Sequence, residues 1–218
     1  HHLYTCEMMD DTILNCTKTN REQAKNRFFI QGEPKAIIML EVAADTIEDA
    51  ERQAEALIDD LKQNNFGYAL PKLYGEDIDK INALRKAGLG LLGSIVGDDK
   101  AADSIEDTAV ELSDLPNYIA EFAAMMKKYG QEAIYYAHAG AGELHLRPIL
   151  NLKKKEDLQL FRTIATEVAV LVKKYRGSLS GEHGDGIVRG EFLPYMIGEN
   201  NYELLKRIKK AFDPNSIF

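Results

Sequence analysis

Cysteine is scarce: Cys6 and Cys16 are the only two among 218 residues. Two thiols without an accompanying ligand pattern support neither a disulfide scaffold nor a zinc ribbon, and they suit a reducing compartment. No apolar run comes near the roughly 20 residues that span a bilayer, and no signal peptide opens the chain. No membrane span is therefore expected, and the location is read as cytoplasmic, with at most peripheral contact with a membrane. Basic charge is also short, since 27 Lys and Arg stand against 35 Asp and Glu, a net charge of -8. An acidic surface repels phosphate backbones, so no nucleic-acid partner is expected. A starting methionine is absent, and the close Asp213-Pro214-Asn215-Ser216-Ile217-Phe218 has no polar tail. The expectation is a larger natural protein.

Apolar residues are plentiful. At 45% hydrophobic, the chain can bury a real core, as one domain or as two tightly packed subdomains, about 1–96 and 105–218. Residues 36–43 form a short apolar run that reads as a buried strand. A helix follows from about Asp45, with Asp45 and Glu48 placed as a capping box. Its stripe is Ile47, Ala50, Ala54, Leu57, Ile58 and Leu61. A strand near 66–73 and a helix near 76–92 come next, then a polar loop at 97–104. A strand is predicted over 107–112 and a helix from Asp114 to Tyr129. Two strands, 132–138 and 143–149, flank the glycine turn Gly140-Ala141-Gly142. A long helix runs from about Glu156 to Tyr175 and is stopped by Gly177. A glycine-rich loop (177–190) and two short helices finish the chain. Hairpins mixed with crossovers point to an α+β fold, an antiparallel sheet with helices on one face. Strand–helix–strand halves on either side of the 97–104 loop suit duplicated ferredoxin-like units.

The chemistry concentrates in two glycine-rich stretches. Apart from His1 and His2, the histidines are His138, His145 and His183. Alternate side chains of a strand share a face, so Glu143, His145 and Arg147 point one way while Leu144 and Leu146 point to the core. His138 ends the neighbouring strand and can converge with His145 across the hairpin. Two histidines and a carboxylate are a common divalent-metal set that leaves a position open, and His138, His145 and Glu182 supply one. Hydrogen-bonded strand histidines are the plain alternative. His183 is a candidate proton acceptor, because an imidazole titrates near neutrality; a loop histidine satisfied by backbone carbonyls is its alternative. Glu106-Asp107 reads as a ligand pair or as a solvated strand edge. Arg85, on a helix, can pair a carboxylate bidentately or simply face solvent.

The stretch 138–145, His-Ala-Gly-Ala-Gly-Glu-Leu-His, resembles the H-x-G-x-G-x-x-H signature of the FAD-linked oxidase C-terminal domain. Ser180-Gly181-Glu182-His183-Gly184-Asp185-Gly186 resembles its S-x-E-H-G-x-G signature, and 212–218 its F-D-P-x-x-I/L-F close. Asn82-Ala83-Leu84-Arg85 and Glu106-Asp107-Thr108-Ala109-Val110 fit more loosely. The resemblance implies the substrate-binding cap domain of a flavin-dependent dehydrogenase. Such an enzyme oxidises a small D-2-hydroxyacid of lactate, glycolate or 2-hydroxyglutarate type to the 2-oxoacid. It further implies FAD held by an N-terminal FAD-binding domain absent from this chain, and a divalent metal, zinc, on His138, His145 and Glu182. By the same likeness, His183 accepts the substrate proton and Arg85 binds the substrate carboxylate, with Arg147 a second candidate for that carboxylate. His145-Leu146-Arg147-Pro148 looks like the branch fused to an iron–sulfur module, which adds that module or another electron-transfer partner. Two other classes compete: a non-catalytic ferredoxin-like binding module, and a metallohydrolase using the same donor set. The glycine stretches are not a dinucleotide fingerprint, so the domain alone is not expected to hold FAD or to be active.

Overall fold

The computed structural model describes residues 1–218. In chain order its elements are β1 (Thr5–Asp10), α1 (Asp11–Thr19), β2 (Ala36–Glu41), α2 (Ile47–Gln63), α3 (Glu76–Leu91), β3 (Lys100–Ala101) and β4 (Ile105–Ala109). They continue with α4 (Leu115–Lys128), β5 (Ala133–His138), β6 (Glu143–Leu150), α5 (Lys155–Lys174), α6 (Gly186–Arg189), α7 (Leu193–Ile197) and α8 (Glu199–Phe212). The strands form one antiparallel sheet in the order β2-β1-β5-β6, with β3 and β4 both pairing along the far edge of β6. The fold is α+β, as expected. β1 pairs with β5, which joins the two halves of the chain in that sheet. Ser178 bridges the outer edge of β4 at Ala109. Ser178, β4, β6 and β5 thus lie side by side in that order, with Ser178 contributing a single bridge and no strand of its own.

The period-2 alternation of β5 and β6 divides the core. Ala137, Leu144, Leu146 and Leu150 face α4 and α5, where they bury Tyr118, Phe122, Met126, Ile164, Val168 and Val172. Ile134 and Tyr136 point the other way, into a second cluster with Met9, Ile13, Leu14, Leu84 and Leu92. The expectation of helices on one face thus describes α4 and α5. α1 and α3 cover part of the opposite face, because β5 carries apolar side chains at odd and even positions alike. The polar positions of β6, His145 and Arg147, lie on the α3 side.

Other boundaries also differ. No strand forms over 66–73: Gly67 takes a positive φ, Phe66 and Tyr68 are exposed, and Pro71 has no N–H to give a ladder. α2 is capped by Thr46, whose hydroxyl accepts from the Asp49 amide at 3.1 Å, and not by Asp45. β4 begins two residues earlier than the pattern suggests, and the stretch 97–104 contains the short β3. β1 and α1 were not marked by periodicity at all. Asp10 joins them by accepting from the Ile13 amide at 3.1 Å and the Tyr135 amide at 2.7 Å. No helix is long and apolar enough to cross a membrane.

Candidate active site

The hairpin β5–β6 sets the histidines. His138 pairs with Glu143 and Tyr136 with His145, so His138 and His145 are diagonal neighbours on one face. Their ring centroids lie 5.2 Å apart. The turn between them, residues 139–142, requires Gly142 in the left-handed region at φ 71, where a Cβ would also fall 2.1 Å from the Val110 carbonyl oxygen. His145 is buried. Its Nδ1 lies 2.5 Å from the Glu106 carbonyl oxygen, a geometry that makes Nδ1–H the donor and leaves Nε2 as the free nitrogen. Burial lowers its pKa, the charges of His138 and His183 add to that, and the Glu106 contact opposes it. A neutral imidazole results, the form that can ligate a metal.

His138 sits at the mouth. Its Nδ1 lies 3.1 Å from Glu7 Oε1 and 3.1 Å from Arg85 Nη2, and Arg85 is itself ion-paired to Glu7. A protonated Nδ1 can donate only to the carboxylate, and then Nε2 is free; that nitrogen lies 3.6 Å from Glu182 Oε1. The donor atoms of His138, His145 and Glu182 fall within 4.8 Å of one another. With His138 in that tautomer, two imidazole nitrogens face one carboxylate, a set that fits a divalent ion with nitrogen and oxygen preference such as zinc. A second group of the same size, Glu106, His145 and His183, shares His145. Its carboxylate is already engaged: Glu106 Oε2 accepts from Arg147 at 2.5 Å and Oε1 meets His183 Nδ1 at 2.8 Å. That leaves the first group as the better metal set.

The loop 180–183 delivers Glu182 and His183, both half-exposed, and His183 stacks on His145 at 5.4 Å between centroids. Beneath the loop lies a buried acid pair. Asp107 accepts from the Ser180 hydroxyl at 2.5 Å, from the amides of Glu182 and His183 at 2.9 Å each, and from Arg189 at 3.3 Å. Burial alone would raise its pKa; the bonds from Ser180, Glu143 and the two amides outweigh that and bring it to about 2. Glu143 is pushed the other way, to about 8, by burial, by its hydrogen bond to Asp107 and by the charges of Asp107 and Glu182. It is therefore the protonated partner of the pair. Gly181 passes directly over it, since a Cβ there would stand 1.8 Å from Glu143 Oε2.

Comparison with known proteins bears on what this geometry is for. The family model described as FAD linked oxidases, C-terminal domain, matches residues 1–218. The chain belongs to that family. Among proteins it resembles are the D-2-hydroxyglutarate dehydrogenases of Pseudomonas putida, 35% identical over 184 residues (83% of this chain, 18% of that protein), and of Haemophilus influenzae, 34% identical over 220 residues (96% and 21%). Glycolate oxidase subunit GlcD of Bacillus subtilis is 23% identical over 183 residues (84% and 38%). The chain spans about a fifth of the length of the dehydrogenases.

In this FAD-linked oxidase domain the six residues singled out from sequence lie along the β5–β6 hairpin, with His138, His145, Glu182, His183 and Arg85 towards its turn and Arg147, opposite Ile134, towards its open end. Neither arginine is the exposed cation that a helical or strand position suggests by itself. Arg85 lies over the Tyr136 ring at 4.7 Å and is mostly buried, and Arg147 is tied to Glu106. Each keeps a buried Nε without a partner. Glu106-Asp107 is not a solvated edge, because both side chains are largely buried and turn inward to the site, where Glu106 belongs to the second candidate metal group. Sequence reading missed Glu7 because β1 was not recognised, and Arg189 because a short helix gives no periodicity. Glu143 was placed on the correct face by strand alternation, without a role.

Proposed function

We propose that this domain is the substrate-binding cap of a flavin-dependent dehydrogenase that oxidises a D-2-hydroxyacid of the 2-hydroxyglutarate type to the 2-oxoacid. The observation that carries the reading is the convergence of His138, His145 and Glu182 beside His183, flanked by Arg85 and Arg147. FAD would be bound by another part of the same protein, with an iron–sulfur module or other electron-transfer partner taking the electrons onward. His138, His145 and Glu182 would hold the divalent metal. When bound, the metal would make a substrate hydroxyl more acidic and FAD would provide the hydride acceptor.

The chain's own residues do the rest. Arg85 and Arg147 offer guanidinium groups to substrate carboxylates, and their pairing with Glu7 and Glu106 holds them extended before substrate arrives. His183 accepts the hydroxyl proton: with Nδ1 turned to Glu106, Nε2 is the free base, 3.8 Å from Glu182 Oε2. The half-exposed Glu182 and His183 leave one side of the site open, where another domain could close it and exclude water.

The test is made on full-length enzyme with an artificial electron acceptor, measuring metal content for each variant. His183→Ala is expected to lower kcat roughly 10²–10⁴-fold with metal retained. His145→Ala and Glu182→Ala should lose metal together with activity, and Arg85→Ala should chiefly raise KM. Near-normal kcat in His183→Ala would overturn the proton-acceptor role. Retained metal and activity in His145→Ala and Glu182→Ala would reduce the cluster to a structural one.

A further inference from the structure

β4 does not pair regularly with β6. Ile105 stands opposite Leu146 and Thr108 opposite Leu144, so three steps along β4 match two along β6. The extra residue is a bulge, and it sets Glu106 and Asp107 together against the single residue His145. A bulge re-aims side chains that strict alternation would send to opposite faces. Ile105 and Thr108 on either side are fully buried in the core, with the Tyr118 hydroxyl donating to Thr108 at 3.0 Å. Glu106 and Asp107 are thereby free to serve the site.

Each holds a different part of it. Asp107 grips the backbone of the loop: its carboxylate takes the amides of Glu182 and His183, and its carbonyl takes the Gly181 amide at 2.8 Å. Paired backbone bonds between Ala109 and Ser178, both 2.9 Å, continue the attachment down the strand. Glu106 grips imidazoles: its carbonyl takes His145 Nδ1, and its Oε1 takes His183 Nδ1. We infer that the bulged pair Glu106-Asp107 acts as a clamp of two positioning residues. Glu106 fixes the ring and tautomer of the proton acceptor, and Asp107 fixes the backbone that presents Glu182 and His183. The inference rests on the proposed role of that site. Its physical basis is that a partner bonded to the far nitrogen of an imidazole decides which nitrogen carries the proton and where the ring points.

The experiment uses full-length enzyme. For Glu106→Gln, which keeps one acceptor oxygen, kcat should fall about tenfold, and for Glu106→Ala about a hundredfold, both with zinc retained; because Glu106 also holds Arg147, KM should rise as well, more in Glu106→Ala than in Glu106→Gln. For Asp107→Asn, the amides of Glu182 and His183 should exchange with deuterium faster while core amides of α5 keep their protection. Zinc affinity, titrated with zinc ion alone against a chelator, should weaken about 10–100-fold. Where Asp107→Asn is not recovered folded, Ser180→Ala, which removes one donor to Asp107, carries the same exchange and zinc measurements. Wild-type kcat in both Glu106 variants overturns the Glu106 role, and unchanged loop exchange with unchanged zinc affinity overturns the Asp107 role. His183→Ala and Glu182→Ala run alongside as controls. Loss in the controls without loss in the clamp variants sinks only the clamp, whereas full activity in the controls sinks the reading of the site itself.

Discussion

At the scale of single residues, the clearest consequence of the geometry is a carboxyl–carboxylate pair with opposed pKa values. Glu143, raised to about 8, is protonated in the fold, whereas in an unfolded chain it would ionise near its ordinary 4.5. Its contribution to stability is therefore complete below about pH 4.5 and is lost as pH rises through 8. Asp107, lowered to about 2, has the reverse sign: its contribution is present above its ordinary 3.8 and is lost as pH falls towards 2. His145, held neutral by burial, costs stability as pH falls below about 6.5, where an unfolded imidazole would take up a proton. Glu143→Gln keeps a donor towards Asp107 and removes the titration. Above the imidazole range, between pH 7.5 and 9, its thermal midpoint should stay level while that of the wild type declines, and parallel declines in both proteins would refute the protonated assignment. Gly181→Ala tests the same spot sterically. The new methyl would meet Glu143 1.8 Å away, so loop and carboxyl must separate, at a cost of about 1–3 kcal/mol by denaturant unfolding.

The elements differ sharply in how much they bury. Leu146 in β6 is fully buried between α4 and α5, so Leu146→Ala should cost about 2–5 kcal/mol. Leu204 on α8 is half-exposed, and α8 has no buried residue at all, so Leu204→Ala should stay within about 0.5 kcal/mol. Chemical denaturation of the two variants, compared at equal slope, checks the contrast. The long helices and the β5–β6 hairpin could be read from the chain because each has an apolar face of the right period and a glycine near its end. β1 could not. Thr-Cys-Glu-Met-Met-Asp carries no clean alternation, and it becomes a strand because β2 and β5 offer their edges to it. The reverse error, a strand assigned to 66–73, shows the same cause. An aromatic-rich run becomes a strand only when a neighbouring edge is available and its ladder donors are intact.

For the whole molecule, the glycine stretches serve tight turns and a close approach to Glu143, and no strand–G-x-G-x-x-G–helix unit exists to cradle a diphosphate. The 218-residue chain purified alone should therefore be colourless and lack 2-hydroxyacid dehydrogenase activity. Stoichiometric flavin absorbance in the purified chain would contradict this. From the sequence by itself came the α+β class, the family, the face of β6 that carries His145 and Arg147, and the set His138, His145, Glu182 and His183, because local period and motif spacing are properties of a few adjacent residues. Only the tertiary structure decided that Glu7 reaches Arg85 and His138 from 131 positions before the latter, that a one-residue bulge turns Glu106 and Asp107 together into the site, and that Glu143 keeps its proton. Those depend on which strands become neighbours and how much water is excluded between them, and no stretch of sequence read alone contains either quantity.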